Sequence, residues 1–260
     1  MGILSYCNTL YYLLLTDLKI FKRTIQDKII DLLIWIVTVV LVTAYLMPAF
    51  GLEQSYSSFM IASLTASAGL FEMYTGVTNL ITDFEGNNIT SFYLILPIPT
   101  WLVFIRNILF YAFNNAVLGI LVLPISKLLL WHQFDLSQFS LVKFLIIFSL
   151  TNIFYATFTI WITSRISSIE QIGSVWMRFV YPLWYLGGFQ YSWQVLYNFN
   201  YFLGYLSLIN PMIYIMEGTR ATILGQEGSL PFWLCAFFLG LASIIFGWHG
   251  IIKMKRKLDF

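Results

Sequence analysis

Long apolar runs separated by short polar segments dominate the pattern of the chain. A helix needs about 20 apolar residues to cross a hydrocarbon core of about 30 Å, and several of the runs reach that length. The pattern therefore predicts an all-α integral membrane fold, with residues 1–260 forming a single transmembrane domain. Six transmembrane helices are predicted, at about 29–50, 56–82, 101–125, 141–163, 172–190 and 231–252.

The N-terminal segment has a different pattern. Leu4, Leu10 and Leu14 recur at helical spacing, while charged residues collect toward the end of the segment. A helix of this kind lies in the membrane interface with its cations toward the lipid headgroups. We therefore predict an amphipathic interfacial helix over residues 3–26. Its short apolar run lacks a small-residue cleavage site, so a cleaved signal peptide is not expected.

Two of the predicted spans carry further signals. The second span is rich in Ser, Thr, Ala and Gly, which let helix backbones approach closely in lipid, so it is expected inside a bundle. The apolar region 174–209 is too long for one span, and Pro182, Gly187 and Gly188 interrupt it. Irregular backbone at membrane depth must be covered by protein or line a cavity. A broken, re-entrant outer segment is predicted over residues 191–220, before the last span.

The segment between the second and third spans, residues 83–100, reads DFEGNNITSFYLILPIPT. It begins with a polar, turn-like stretch and continues as a short apolar helix or turn. Two prolines then break any continuous helix. Its candidate functional residues are Asp83, Glu85, Gly86, Leu96, Pro97 and Pro99.

Composition excludes several classes of protein. Hydrophobic residues make up 59% of the chain and charged residues 10%, with a mean hydropathy of +0.80. Soluble domains are about 45–50% apolar and about 25% charged, so a soluble enzyme is excluded. The net charge is only +2, and the basic residues form no face with interleaved aromatics. Nucleic acid is therefore not an expected partner.

The distribution of basic residues predicts the orientation in the membrane. Cytoplasmic segments carry an excess of Lys and Arg. With both termini in the cytoplasm, Lys127, Lys143 and Arg220 fall outside and the other eleven of the fourteen basic residues fall inside. An even number of spans satisfies this arrangement. The expected location is the cytoplasmic (inner) membrane, as a multi-pass protein surrounded by lipid.

The sequence lacks the common catalytic motifs. It contains no phosphate-binding P-loop, no H-E-x-x-H and no G-x-S-x-G. His132 and His249 are predicted near opposite faces of the membrane, and Cys7 and Cys235 lie in apolar or amphipathic stretches. No catalytic residue, cofactor site or metal site is predicted in this chain.

A few polar residues in apolar surroundings are candidates for function. Glu72 is either a proton or substrate site, or a structural partner of Arg106 or of small polar neighbours. Glu217 and Arg220 are three residues apart on one helical face. They either pair with each other or line an exit path. Asn210 and Pro211 precede them at the outer end of the broken region.

Aromatic residues crowd the outer half of the fifth region, between Tyr185 and Tyr205. One interpretation is an interfacial belt, because amphipathic rings suit the headgroup level. The other is a stacking track for sugar rings.

Two motifs resemble one family. The loop with Glu85 and Gly86 that ends in the Leu-Pro-Ile-Pro run 96–99 resembles the cytoplasmic loop of ABC-2-type transporter permeases. The segment from Asn210 to Arg220 is similar to the N-P-x-x-x-x-x-E-x-x-R stretch before their last span. The N-terminal helix, the six spans and the basic C-terminal tail also match. One departure is Gly187-Gly188, which stands where many members have Ser-Gly-x-x-[Phe/Tyr]-Pro.

The resemblance implies a function that the residues alone do not. It implies the permease subunit of an ATP-binding cassette exporter, forming a homodimer or heterodimer with a second permease copy. ATP and Mg would bind a separate ATP-binding subunit and not this chain. Segment 83–100 would be the cytoplasmic coupling loop, and the cargo could be a polysaccharide, a lipid or a drug. The alternatives are a secondary ion-coupled carrier, which predicts several intramembrane acids, and a membrane-embedded lipid-modifying enzyme.

Overall fold

A computed structural model describes residues 3–53, 55–87, 89–95, 98–131 and 133–258, and these residues form helices and connections without a strand. The helices are α1 (Ile3–Val40), α2 (Met47–Ala49), α3 (Ser55–Thr82), α4 (Ile89–Ile95), α5 (Thr100–Leu129), α6 (Leu141–Thr163), α7 (Glu170–Val175), α8 (Tyr181–Tyr185), α9 (Trp193–Phe199), α10 (Tyr201–Ser207), α11 (Pro211–Ile223) and α12 (Phe232–Lys257). Three π-helical turns, Leu41–Leu46, Asp83–Asn87 and Trp176–Val180, continue α1, α3 and α7. The all-α prediction is confirmed.

Four helical segments of the described chain are long and apolar enough to cross a membrane. They are Asn8–Ala49, Thr100–Leu129, Leu141–Thr163 and Phe232–Lys257. The second and fifth predicted spans correspond to α3 and to the helical stretch 170–185, which are outside this group. The count of six spans therefore stays a prediction.

The N-terminal region differs from the predicted pair of elements. A single helix, α1, runs from residue 3 to residue 40 without a break between the predicted interfacial helix and the first span. Residues 26–29 carry no helix-breaking proline or glycine, so the backbone has no reason to stop there. Within this one helix, Asp17 of the first segment is buried, as are Ile36 and Val40 of the second.

Helix α3 occupies the centre of the bundle. Every residue from Ile61 to Leu70 is buried, which confirms that this small-residue helix packs inside. A Cβ atom at Gly69 would lie 2.5 Å from the ring of Tyr155 on α6, so α3 and α6 approach at near-backbone distance. The Tyr155 hydroxyl donates to the Ala66 carbonyl at 3.1 Å, and this bond fixes the register of the two helices.

Helix α12 packs along α6 in the same close manner. A Cβ atom at Gly250 would lie 3.0 Å from the backbone nitrogen of Trp161. The ring of Phe246 packs edge-on against Phe158 and Trp161 in the last turns of α6, with centroids 5.1 Å and 4.9 Å apart. Small residues and interlocking rings thus hold α12 on the core helix in the way that membrane bundles favour.

The fifth apolar region is broken, as its glycines predict. Pro182 does not end the helical path, since it lies in α8 directly after the π-helical turn Trp176–Val180. Gly188 has a φ of +82° and ends the helical path. Two short helices follow, and the side chains of Ser192 and Asn200 cap them by accepting backbone N–H bonds. The re-entrant depth of this segment stays a prediction.

Candidate functional site

The predicted coupling segment is more helical than its sequence indicates. The polar residues Asp83–Asn87 at its start form a π-helical turn that continues α3, whereas the sequence predicts an irregular, turn-like stretch there. The reason is Asp83, whose two carboxylate oxygens accept the N–H groups of Ile89 and Thr90, each at 2.8 Å. This carboxylate caps α4 and so fixes α4 directly on the end of α3.

The end of the bundle that carries α4, called the α4 end below, is joined across four helices. Glu85 accepts the backbone N–H of Ile169 at 2.9 Å and so ties the turn after α3 to the connector before α7. Lys257, at the end of α12, donates to the carbonyls of Thr163 at 3.2 Å and of Ile166. Its ammonium group also lies 5.6 Å from the Phe84 ring centroid. These contacts connect α3, α6, α7 and α12 at the α4 end.

A second set of contacts at this end involves the connector after α6. The Arg165 guanidinium lies 3.5 Å from the ring centroid of Trp161 and donates to the Trp161 carbonyl at 3.0 Å. Burial there lowers the pKa of Arg165, although an arginine remains charged at neutral pH. The Trp161 indole N–H lies 3.2 Å from His249 Nδ1 on α12. Sequence reasoning assigned neither Arg165 nor His249 to this site.

The remaining predicted residues of the coupling segment contribute differently. Leu96 and Pro97 lie outside the described residues. Pro99 is the N-cap residue of α5 in extended conformation, and its carbonyl accepts the Leu102 N–H at 2.9 Å. A Cβ atom at Gly86 would meet nothing within 4 Å, so close packing does not explain that glycine.

Helix α4 presents an apolar face to its surroundings. Ile89, Phe92 and Ile95 are 50%, 60% and 76% exposed, and they lie three residues apart on one side of a helix. The opposite side is anchored, since Thr90 and Leu94 are buried. An anchored helix with an exposed apolar face is suited to contact another protein.

Glu72 and Arg106 occupy a second location, between α1, α3 and α5. The predicted pairing of these two residues is wrong. Glu72 forms an ion pair with Lys28, and Arg106 pairs with Asp17, with Arg106 Nε 2.7 Å from Asp17 Oδ2. Both partners come from α1. Because sequence reasoning placed Asp17 in a separate interfacial helix, it could not offer that carboxylate to a membrane-embedded arginine.

The spacing of Asp17 and Lys28 in the sequence indicates that both could face the same neighbouring helices. Asp17 and Lys28 are eleven residues apart, which is close to three full turns of a continuous helix. They therefore lie on the same face of α1, one above the other. Arg106 is also placed 4.5 Å from the ring centroid of Tyr93 on α4, so the ion pair extends to the α4 end.

Glu217 and Arg220 form a buried ion pair, which confirms the pairing alternative. Arg220 Nη1 lies 2.9 Å from Glu217 Oε1, and the two side chains are 2% and 0% exposed. The guanidinium also donates to Ser63 Oγ on α3 at 2.6 Å. Its other acceptors are the carbonyls of Gly188, Phe189 and Tyr191. This set of contacts is called the Arg220 cluster below.

The Glu217 carboxylate extends the Arg220 cluster to two further segments. Its Oε1 accepts the Trp193 N–H at 3.0 Å, and its Oε2 accepts the Leu230 N–H at 3.1 Å. The cluster thus joins α3, the turn after α8, the start of α9 and the connector before α12. A buried charge pair with this many hydrogen bonds orders the irregular backbone around it.

Asn210 and Pro211 position this pair by starting α11. The Asn210 side chain accepts the Met212 N–H at 3.0 Å, which is an N-cap, and donates to the Leu183 carbonyl at 2.6 Å. Pro211 occupies the first helical position, where its fixed φ favours helix initiation. Asn210 and Pro211 therefore fix the start of α11 and its orientation about the helix axis, so that the side chains of Glu217 and Arg220 point into the core.

The aromatic segment packs mainly on itself. The rings of Trp193 and Tyr197 are stacked with centroids 4.9 Å apart, and Tyr201 meets Tyr197 edge-on at 4.9 Å. Phe199 and Phe202 are exposed. Exposed rings on short helices suit a membrane interface and a sugar surface equally, so the belt and the stacking track both stay predictions.

Comparison with known proteins identifies the family. The family model for the ABC-2 type transporter matches residues 15–224. The chain belongs to the ABC-2 type transporter family. The matched range begins within α1 and ends just after α11, so it includes α4 and the Glu217–Arg220 pair. Membership makes the chain a membrane transport subunit and not an enzyme.

Curated relatives of this ABC-2 type transporter carry a consistent description. "Inner membrane transport permease YadH" of Escherichia coli (strain K12) is 25% identical over 208 residues, which is 76% of this chain and 77% of that protein. The proteins of the same name from Escherichia coli O157:H7 and Shigella flexneri match to the same extent.

Proposed function

We propose that the chain is the transmembrane permease subunit of an ATP-binding cassette exporter in the cytoplasmic membrane. In this proposal it pairs with a second permease copy, and a separate ATP-binding subunit holds ATP and Mg. The observation that carries the proposal is the construction of the α4 end. An exposed apolar helix is fixed to the core helix α3 by Asp83, and Glu85 and Lys257 tie the same end to α6, α7 and α12.

The proposed mechanism is rigid-body transmission. The ATP-binding subunit docks on the apolar face of α4 and moves when it binds nucleotide. Because α4 is capped by the last turn of α3, its displacement passes to α3 and to the helices bonded to this end. Nucleotide binding can shift the conformational equilibrium of the permease only if the nucleotide-bound subunit has different affinities for the two permease conformations. The size of that difference in affinity limits the size of the shift. The two permease chains then separate along a seam between the first and fifth apolar regions.

The proposed orientation follows from the same docking. The α4 end and both termini lie in the cytoplasm, where the ATP-binding subunit is, and the Arg220 cluster lies toward the outer face. The relatives are named inner membrane transport permeases, which supports this location. Polysaccharides, lipids and drugs are the cargo classes considered under this proposal.

The docking surface can be tested at Phe92. We expect Phe92→Asp to reduce co-purification with the co-expressed ATP-binding subunit about tenfold, because a carboxylate replaces a ring that would be buried at the contact. Phe50→Asp is the matched control, since Phe50 is 84% exposed in the turn after α2, at the other end of α3 from α4. Equal co-purification of both variants would rule out α4 as the docking helix.

Coupling can be separated from docking at Glu85. We expect Glu85→Ala to leave co-purification unchanged and to reduce permease-dependent ATP hydrolysis about three- to fivefold, because an exposed carboxylate bond to the Ile169 N–H is lost. Glu53→Ala is the control, since Glu53 is an exposed glutamate before α3 whose side chain accepts a local bond from Ser55. Hydrolysis at the wild-type rate in Glu85→Ala would contradict the coupling role.

A further inference from the structure

A polar groove runs between α1, α3 and α5, and Asp83 and the first residues of α4 also line it. It encloses about 630 Å³ and extends from Glu72 to the start of α4 at Ile89. A second cavity of about 400 Å³ adjoins it and shares Lys28, Asp31 and Glu72 as lining residues. Together they offer one elongated site with a polar part and an aromatic part.

The charges that line the polar part do not balance. The carboxylates are Asp17, Asp27, Asp31, Glu72 and Asp83, and the cations are Lys28 and Arg106. Both cations are already committed to ion pairs, and the Asp83 carboxylate caps α4. Asp27 and Asp31, on successive turns of α1, are left without an ion-pair partner among the described residues. The groove therefore favours a cationic ligand.

Two buried amides on α5 point to a ligand with hydrogen-bonding capacity. Asn107 and Asn114 line the groove and are each 6% exposed. Asn107 Nδ2 and Asn114 Oδ1 have no hydrogen-bond partner within the described part of the chain. An unpaired buried polar atom costs about 1–3 kcal/mol, so a ligand that pairs with it gains affinity. The Asn114 oxygen is an acceptor and requires a donor such as an ammonium N–H.

The adjoining cavity supplies an aromatic surface. Trp35 and Phe71 line it, and their ring centroids are 5.0 Å apart. Trp35 follows Asp31 by four residues, so the ring and the carboxylate lie on one face of α1, one turn apart. A molecule with an apolar body and a charged nitrogen would place the body on these rings and the nitrogen among the carboxylates.

We propose that this groove binds an amphiphilic primary amine, with its ammonium group between Asp31 and Asn114 and its apolar part against Trp35 and Phe71. The assignment of such an amine as cargo rests on the proposed export function, whereas its binding to the groove does not. The groove adjoins α4 through Ile89 and Thr90, so a bound ligand lies beside the helix that receives the ATP-binding subunit.

The test uses three probes that share one apolar body. They are 4-phenylbutylamine, its N,N,N-trimethyl derivative and the anion 5-phenylpentanoate. Binding to the purified chain in maltoside micelles is measured by saturation-transfer NMR. The amine is expected to bind with at least fivefold lower Kd than the trimethyl derivative, and the anion is expected not to saturate. Equal binding of all three probes would overturn the proposal, because micelle partition alone would explain it.

Variants locate the binding. Asp31→Asn, with Asp27→Asn/Asp31→Asn as a second variant, is expected to weaken amine binding at least fivefold; both positions are exposed, so folding is preserved. Asn114→Leu is expected to abolish the preference for the amine over its trimethyl derivative. Asp135→Asn, at an exposed loop acid bonded to Ser137, is the control and keeps full binding. Unchanged binding in the Asp31 variants would refute the site.

These measurements need no ATP-binding subunit. If the amine does not bind, the proposed permease function is unaffected. If Phe92→Asp does not affect docking, the proposed amine binding in the groove is unaffected. The two proposals can be rejected separately.

Discussion

Replacing Glu217 with alanine is expected to lower the free energy of unfolding by about 3–5 kcal/mol. The variant leaves the Arg220 guanidinium buried without its carboxylate, and it also removes the acceptor of the Trp193 and Leu230 N–H groups. Thermal unfolding of the purified protein in detergent measures the loss. Glu227→Ala is the matched control, since Glu227 is exposed ten residues later and its removal should change stability by less than about 0.5 kcal/mol.

A double-mutant cycle identifies the cause of that loss. Glu217→Leu and Arg220→Met are each expected to destabilise strongly, because each leaves one buried charge unpaired. The double variant removes both charges and should lose clearly less than the two single losses added together. Strict additivity would show that the pair is not coupled and that the Arg220 cluster does not act as a unit.

The second large effect is expected at Gly69. Gly69→Ala should destabilise the chain by about 1–3 kcal/mol, because the added Cβ would lie 2.5 Å from the Tyr155 ring. That ring is fully buried and cannot rotate away without losing its hydroxyl bond to Ala66. The same unfolding measurement detects the change, together with exposure of buried tyrosine in the near-ultraviolet spectrum.

Gly173→Ala provides the comparison. Gly173 also lies in a helix, α7, but a Cβ there would meet nothing within 4 Å. Helical glycine costs about 0.5–1 kcal/mol relative to alanine, so this variant should be neutral or slightly more stable. If both glycine variants behaved alike, the close approach of α3 and α6 would not limit stability.

Sequence patterns predicted those features that depend on local composition. The small residues of α3 identified a central helix, and Gly187 and Gly188 identified the position at which the fifth apolar region breaks. The N-P-x-x-x-x-x-E-x-x-R spacing placed Glu217 and Arg220 one turn apart on one face. These features can be predicted because the geometry of a single helix determines which of its residues share a face.

Features that depend on partners distant in sequence could not be predicted. The partner of Glu72 is 44 residues away and that of Arg106 is 89 residues away, and composition gives no register between helices. Asp, Gly and Asn favour turns, so the polar stretch after α3 is predicted to be turn-like. Asp83 instead uses its carboxylate to start the next helix, an option that the same residues allow.

Helix α3 and the π-helical turn that continues it carry two anchors. Ser63 binds the guanidinium of Arg220, and Asp83 in the following turn caps α4. Twenty residues separate these anchors, which at 1.5 Å per residue is about 30 Å, the thickness of a hydrocarbon core. In the proposed topology, in which α3 crosses the bilayer, a push delivered to α4 on one side would reach the irregular backbone on the other side through a single helix.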